Sequence, residues 1–508
     1  MSARFVSVSE AVAAIPDGAT VATDGFSLMG VAESVFAGIA SSFRAHGRPR
    51  DLTLVHASGQ SNRVAGFEHF AIEGLARRIV GSHWGLMPRI SAFLGQNAAE
   101  AVCLPQGQVA ALYRAIAAGR PGIVTKVGLG TFIDPAFGGG KINDVARDRA
   151  PDYVERVQFD GEDFLFYKAF PIDVGIIRAT AVDDLGNCDQ EEEAVFLDAL
   201  AIAQAAHNSG GIVICQAKRR VPAGTLRPKD VRVPACLVDL VVLTPDPERE
   251  HRQTDGAAFD PRYVTAGAVP GPSSALPETN SPRHAIGQRA VRFLRSGDVL
   301  NIGTGIPGDT IGQALAEANL LDAMTITVES GTYGGVPAGG VDFGIAAGPA
   351  AIIPHASQFD FYDGGGLDAT FMGVGQVDQF GNVNVSLLGG RVIGCGGFVD
   401  ITQSAKRIYF CFEFGGRHKK FVESVDHLTF SASEAIRRGQ TVYYITERAV
   451  FQLCADGLRL TEVAEGVDPR RDVIEQLPFP VSVPATVPVG RPHSAVATQG
   501  AGTAITER

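Results

Sequence analysis

The 508-residue chain has seven cysteines, at positions 103, 188, 215, 236, 395, 411 and 454, and no two of them form a Cys-x-x-Cys pair. That spacing supplies neither a disulfide framework nor a zinc site, and cysteines set in apolar stretches act as small hydrophobes in a reducing compartment. Long apolar runs are also missing, and the first residues, MSARFVSVSEAV, contain no extended apolar leader. Both absences predict a cytoplasmic protein without a membrane partner. Basic charge is in deficit, 44 Lys and Arg against 55 Asp and Glu, for a formal charge of −11. This argues against a nucleic-acid partner and for a small one. There is no His-Glu-x-x-His, no Gly-x-Ser-x-Gly and no Cys/His set with zinc spacing. What remains is chemistry by carboxylates, with no metal and no tightly bound cofactor expected.

At this length the chain exceeds one ordinary core, and two large α/β domains fit. Its 60 glycines and 45% hydrophobic residues suit many tight βα turns. Patterning predicts strands at 18–23, 51–56, 176–182, 211–216 and 237–243, with helices at 31–43, 67–78, 108–118 and 190–207. The segments 81–86 and 104–107 read as loops: a Trp–His packing corner at His83, and a Pro-Gly turn that carries Gln106. Residues 126–143, KVGLGTFIDPAFGGGKIN, contain Gly140-Lys141 but are no phosphate loop. Pro135 stands where that motif needs glycine, and Ile142 where it needs Ser or Thr. They read as a long Gly-rich loop near the active site or at a subunit contact. From 244 to 282 periodicity gives way to Pro, Gly, Ser and charge, an interdomain connection. The second half restarts with helices at 283–294 and 310–318 and strands at 298–302, 325–328 and 406–412. A repeat is visible in the letters: Val182-Asp183-Asp184-Leu185-Gly186-Asn187 returns as Val377-Asp378-Gln379-Phe380-Gly381-Asn382. The expected organisation is an N-terminal domain at 1–265, a linker at 266–282, a C-terminal domain at 283–490 and a flexible tail at 491–508.

The segment 325–340, TITVESGTYGGVPAGG, draws most attention. β-branched residues deliver Glu329 to a strand tip, and five glycines follow, which permit tight turns and close approach of backbone or ligand. An ordinary strand-end carboxylate is the plain alternative. Upstream, Gly303-Thr304-Gly305-Ile306-Pro307-Gly308 is formally the dinucleotide fingerprint, with Glu329 placed 21 residues on, where a ribose-binding acid would stand. Against that reading, Pro307 removes a backbone N–H that a pyrophosphate would use.

The wording VESGxxGGVPAGG resembles the catalytic segment of the family I CoA-transferases of the single-chain acetate/propionate type. The resemblance covers roughly residues 8–472. It extends to 81–86, 104–107, 126–143 and QFDFYDGGGLDATFMGVGQVDQFGNVNVS at 358–386. It implies two similar open-sheet α/β domains of the CoA-transferase type, joined by the Pro/Gly/Ser-rich connection. It makes Glu329 the nucleophile, with coenzyme A as substrate and covalent intermediate, and acyl-CoA and small carboxylic acids as partners. Amides of Gly394-Cys395-Gly396-Gly397 resemble the family's oxyanion loop, which makes Gly396 and Gly397 donors, with a contribution from Gln106. Gly303, Gly305 and Gly394 fall at the acyl-CoA site, and a homo-oligomer, dimer or tetramer, is implied. The chain departs from the family at Asp24, where glycine is frequent, and in Val31-Ala32-Glu33, which lacks the proline common before that Glu. An acyl-CoA hydrolase on the same scaffold, a CoA-binding sensor and a dinucleotide-dependent oxidoreductase are the competing functions.

Overall fold

The structure, a computed structural model, describes residues 3–267, 281–416 and 418–490. Most of the expected linker and the whole tail lie outside the described residues. Two ten-stranded sheets organise the chain. In the first, the order is Arg4–Val6, Leu240–Leu243, Ile212–Val221, Val174–Asp183, Thr20–Thr23, Leu52–His56, Ala76–Gly81, Glu100–Cys103, with every neighbouring pair parallel. In the second, the strands Thr325–Val328, Val299–Ile302, Ala369–Met372, Arg407–Cys411 and Thr441–Ile445 run parallel, and antiparallel ribbons extend both sides. Helices cover parallel sheets on both faces, so their central strands become continuous apolar runs. All ten residues of Val174–Asp183 are buried.

Two predicted helices are not formed as expected. Residues 67–78 divide into a short 3-10 turn, Gly66–Phe70, and the strand Ala76–Gly81. The apolar spacing that mimics a helix arises because Phe67 and Phe70 both pack on Phe36. Ile79 and Val80 face opposite sides of a doubly covered strand. Arg78, buried in that strand, donates to Glu100 on its neighbour at 2.6 Å. Residues 190–207 become helical only at Ala199. Before that point the carboxylates are drawn into distant partnerships: Glu192 with Lys218 and Arg219, Glu193 with Arg178 and His251, Asp198 with His355. A regular helix could not aim these side chains in three directions. The strand expected at 237–243 is confined to Leu240–Leu243, and residues 244–267 are ordered, with His251, Gln253 and Thr254 buried.

The repeated hexapeptides fold alike. Asp183 Oδ1 accepts the amides of Leu185, Gly186 and Asn187, and Asp378 Oδ1 accepts those of Phe380 and Asn382. Asn187 Nδ2 and Asn382 Nδ2 each donate to the second aspartate oxygen at 3.0 Å. Each Asn side-chain oxygen then accepts an amide from the following part of its own half, Ala235 or Ala432. One loop, closed by a buried carboxylate, thus occurs once in each half.

The halves meet through backbone. Trp84 N donates to Ile393 O at 2.6 Å, Gly396 N to Ser82 O at 2.9 Å and Gln106 N to Gly396 O at 3.0 Å. The Gly-rich loop at 126–143 lies at this junction, with Phe132 N on Leu428 O at 2.8 Å and Gly128 N on Gln403 Oε1 at 2.7 Å. Replacing Asp183 or Asp378 by Ala would leave two or three amides of a part-buried turn without their acceptor, at a cost on the order of 1–3 kcal/mol. Each variant is therefore expected to lower the apparent melting temperature by several degrees. An unchanged melting curve for both would show that the loops close without the carboxylate.

Candidate active site

Glu329 directly follows the strand Thr325–Val328, in a tight reversal that brings Thr332–Tyr333 back antiparallel. Gly331 makes that reversal possible. Its φ is +115°, and a Cβ there would stand 2.0 Å from the carbonyl oxygen of Ile353. The close approach predicted from the glycines is thus made here by the protein's own backbone. Ser330 Oγ donates to Gly344 O and ties the turn down.

The Glu329 side chain is buried, and its nearest polar partner is Asn301 Nδ2, 3.4 Å from Oε2. Asn301 sits on the adjacent parallel strand, Val299–Ile302, and is itself held by Thr370 Oγ1, which donates to its Oδ1 at 3.2 Å. Tyr362 OH lies 2.8 Å from Thr327 Oγ1 and 3.4 Å from Asn301 Nδ2. Among the described residues Glu329 makes no ion pair. Burial pushes its carboxyl up to about 7, against the opposing effects of its own amide, Asn301 and His355.

The carboxylate forms part of the wall of a cavity of 530 Å³ between the two halves. Gln106, Gly303, Gly305, Gly394, Gly396 and Gly397 line the same cavity. All seven residues picked out from the sequence therefore converge, although they are drawn from both halves. Their local roles differ. At Gly303 a Cβ would meet Met372 Sδ at 2.8 Å and Phe371 O at 2.9 Å, so the missing side chain admits the neighbouring strand. Gly305 has φ +78° and opens the helix Ile306–Glu317. Gly394, with φ +82°, passes so near Ser82 that a Cβ would lie 2.3 Å from its carbonyl oxygen. The amide of Gly396 is occupied by Ser82 O, and that of Gly394 by Ser386 O. The Gly397 amide, next to both, has no protein acceptor among the described residues. Gln106 is the first residue of the helix Gln106–Ala117, not part of a free turn.

Other wall residues escaped the sequence reading. His83 lines the cavity, while the packing pair expected of it is made by its neighbour, Trp84 Nε1 donating to His56 Nε2 at 3.0 Å. Burial lowers the His83 imidazole to about 4, so it is neutral near pH 7. Asn301 was legible as the one amide in an otherwise apolar strand, Val-Leu-Asn-Ile. Asp198 and His355 carried no signal, because each has meaning only through the other. Cys395 lines the cavity, yet burial and the Cys103 sulfur 3.6 Å away hold its thiol well above the ordinary range, so it offers little thiolate.

This geometry defines an α/β protein of two similar sheet halves, with a buried carboxylate facing a cavity at their junction. The family profile "Coenzyme A transferase" matches residues 5–244. Over the full length the chain is 39% identical to caffeate CoA-transferase of Acetobacterium woodii, covering 95% of each chain. It is also 39% identical to acetate CoA-transferase YdiF of Escherichia coli K12, covering 93% of this chain and 92% of that one. A crystal structure of the acyl-CoA transferase YdiF from E. coli O157:H7, a thioester complex with CoA, superposes with a TM-score of 0.89. That match is 37% identical and covers 96% of this chain and 95% of the other. The chain belongs to the coenzyme A transferase family. The dinucleotide reading of residues 303–308 is not favoured.

The raised carboxyl of Glu329 has a consequence for stability. Between the unperturbed value of 4.5 and about 7, the folded chain keeps a proton that the unfolded chain has released, so stability falls as pH rises through that interval. Glu329→Gln removes this penalty. The variant is expected to match wild type near pH 4 and to exceed it by on the order of 2–3 kcal/mol at pH 8. Melting curves at the two pH values check this, and equal stability at pH 8 would show that Glu329 is not desolvated.

Proposed function

We propose that the protein transfers CoA from a short-chain acyl-CoA to a free carboxylic acid such as acetate, in a ping-pong reaction through a thioester on Glu329. The observation that carries this reading is the buried carboxylate at the cavity wall, which makes no ion pair among the described residues. A carboxylate stripped of water, and held by one weak amide contact, is a better nucleophile than a solvated one.

Each step balances. Glu329 attacks the acyl carbonyl; the tetrahedral intermediate collapses, expels CoA thiolate and leaves an acyl-glutamyl anhydride. The thiolate attacks the glutamyl carbonyl, forms the glutamyl thioester and releases the donor acid as its carboxylate. An incoming carboxylate reverses the sequence, so the thioester's free energy is kept and neither ATP nor metal enters the scheme. Both attacks create an oxyanion, and a lost preorganised donor costs about 3 kcal/mol in comparable sites. The Gly397 amide is the donor best supported by its open hydrogen-bonding capacity, in place of Gly396. Asn301 orients Glu329. The thioester complex of a relative 37% identical over nearly the whole chain supports a covalent CoA intermediate. The names of the acetate and caffeate relatives support carboxylic acids as acceptors.

Among the described residues no helix is long and apolar enough to cross a membrane. A cytoplasmic homo-oligomer, dimer or tetramer, acting on small substrates completes the proposal.

Double-reciprocal plots for acyl-CoA and acetate should be parallel, and intersecting lines would point to a ternary complex instead. The donor half-reaction needs ionised Glu329, so its kcat/KM is expected to fall as pH drops through about 7. Glu329→Ala should abolish exchange. With acyl-CoA alone, borohydride trapping should modify the peptide that contains Glu329. Label on Cys395 would move the chemistry to the thiol, and steady acyl-CoA loss without acceptor or label would make the protein a hydrolase.

A further inference from the structure

We infer that Asp198 and His355 are positioning residues that decide which end of the Gln106 carboxamide faces the acyl-transfer cavity. The inference rests on the reading of that cavity given above. The three residues alternate between the halves. Asp198 immediately precedes the helix Ala199–Asn208, His355 opens the helix His355–Phe361 in the second half, and Gln106 opens Gln106–Ala117 in the first. All three are buried, and only Gln106 reaches the cavity wall.

The direction of the chain follows from what each atom can do. His355 Nδ1 is 2.7 Å from Asp198 Oδ2, and His355 Nε2 is 2.9 Å from Gln106 Nε2. An amide nitrogen donates and cannot accept, so the imidazole nitrogen opposite it must be a lone pair. The ring proton therefore sits on Nδ1, where Asp198 accepts it. With one N–H of Gln106 committed to His355, the carboxamide oxygen is left without a protein donor among the described residues. Reversing the ring tautomer reverses the amide: a proton on Nε2 would demand Oε1 opposite it and turn the NH₂ group to the cavity. A hydrogen-bond acceptor at the acyl site is thus exchanged for a donor by residues that touch no substrate, and Gln106, expected from the family resemblance to be an oxyanion donor, presents its oxygen there instead.

Asp24 supports the assignment. Its Oδ1 accepts the Asp198 amide at 3.0 Å, while burial and the neighbouring Asp198 push its carboxyl well up. Asp24 fixes the Asp198 backbone, and the same burial favours its neutral form, which leaves Asp198 as the acceptor for His355.

The test is ¹⁵N NMR of histidine-labelled protein, with the His355 signal assigned by its loss in His355→Gln. Wild type should show a protonated Nδ1 and an unprotonated Nε2. Asp198→Ala should erase that preference, while kcat for acyl-CoA:acetate exchange falls at least tenfold and KM changes less than threefold. Asp198→Asn, which keeps an acceptor oxygen and the side-chain volume, should recover part of the kcat. Should Asp198→Ala fail to fold, the wild-type spectrum and the Asp198→Asn kinetics decide the matter. A wild-type His355 protonated on Nε2, or a lost tautomer preference with kcat and KM unchanged, would overturn the inference. Absence of exchange in wild type would instead overturn the transferase reading, and it is measured independently of the spectrum.

Discussion

A carboxylate buried without a countercharge is the constraint to which much of this structure answers. Glu329 makes no ion pair among the described residues, and its only side-chain hydrogen bond is a long one from Asn301. Leaving such a group desolvated costs stability at neutral pH, and the surrounding structure must prevent it from turning outward. The strand behind it, the glycine reversal over Ile353 and the Asn301–Thr370–Tyr362 contacts hold it in place from one half. The other half supplies the facing wall of the cavity through Gln106 and His83. Stability is thereby given up to keep a carboxylate out of water.

That two-sided wall explains why the junction is built from backbone as much as from side chains. Ser82 and Gly396, Trp84 and Ile393, Gln106 and Gly396 are joined by main-chain hydrogen bonds, which fix the glycine loop at 394–397 against the first half with little rotational freedom. The glycines at 394 and 396 permit the approach: both have positive φ, and at Gly394 the nearness of Ser82 leaves no room for a side chain. The same bonds consume amides, which is why Gly397 rather than Gly396 is left open. The two Asx-closed loops, at 183–187 and 378–382, show that the halves share a local plan. Only the second half carries the carboxylate, and only the first supplies Gln106, so the division of labour came without loss of the common scaffold.

Much of this was readable from the letters. Continuous β-branched runs specify buried parallel strands, V-D-x-x-G-N twice specifies two similar loops, and the segment from Thr325 to Gly340 specifies a carboxylate at a strand tip. These are statements about neighbours within a few residues, where backbone preference and spacing carry the information. Periodicity misled at 67–78 and 190–207 for one reason: what those residues do is set by partners far away in the chain. Phe36, Glu100, Arg178, Lys218 and His355 each reach them from a different element, and no local pattern encodes those meetings. Tertiary structure alone decided that the Gly396 amide is spent on Ser82, that His83 is a wall residue beside a separate Trp84–His56 pair, and that Asp198 and His355 stand behind Gln106. Hydrogen-bond direction and desolvation depend on which groups the fold encloses together, and that is settled only when the two halves close.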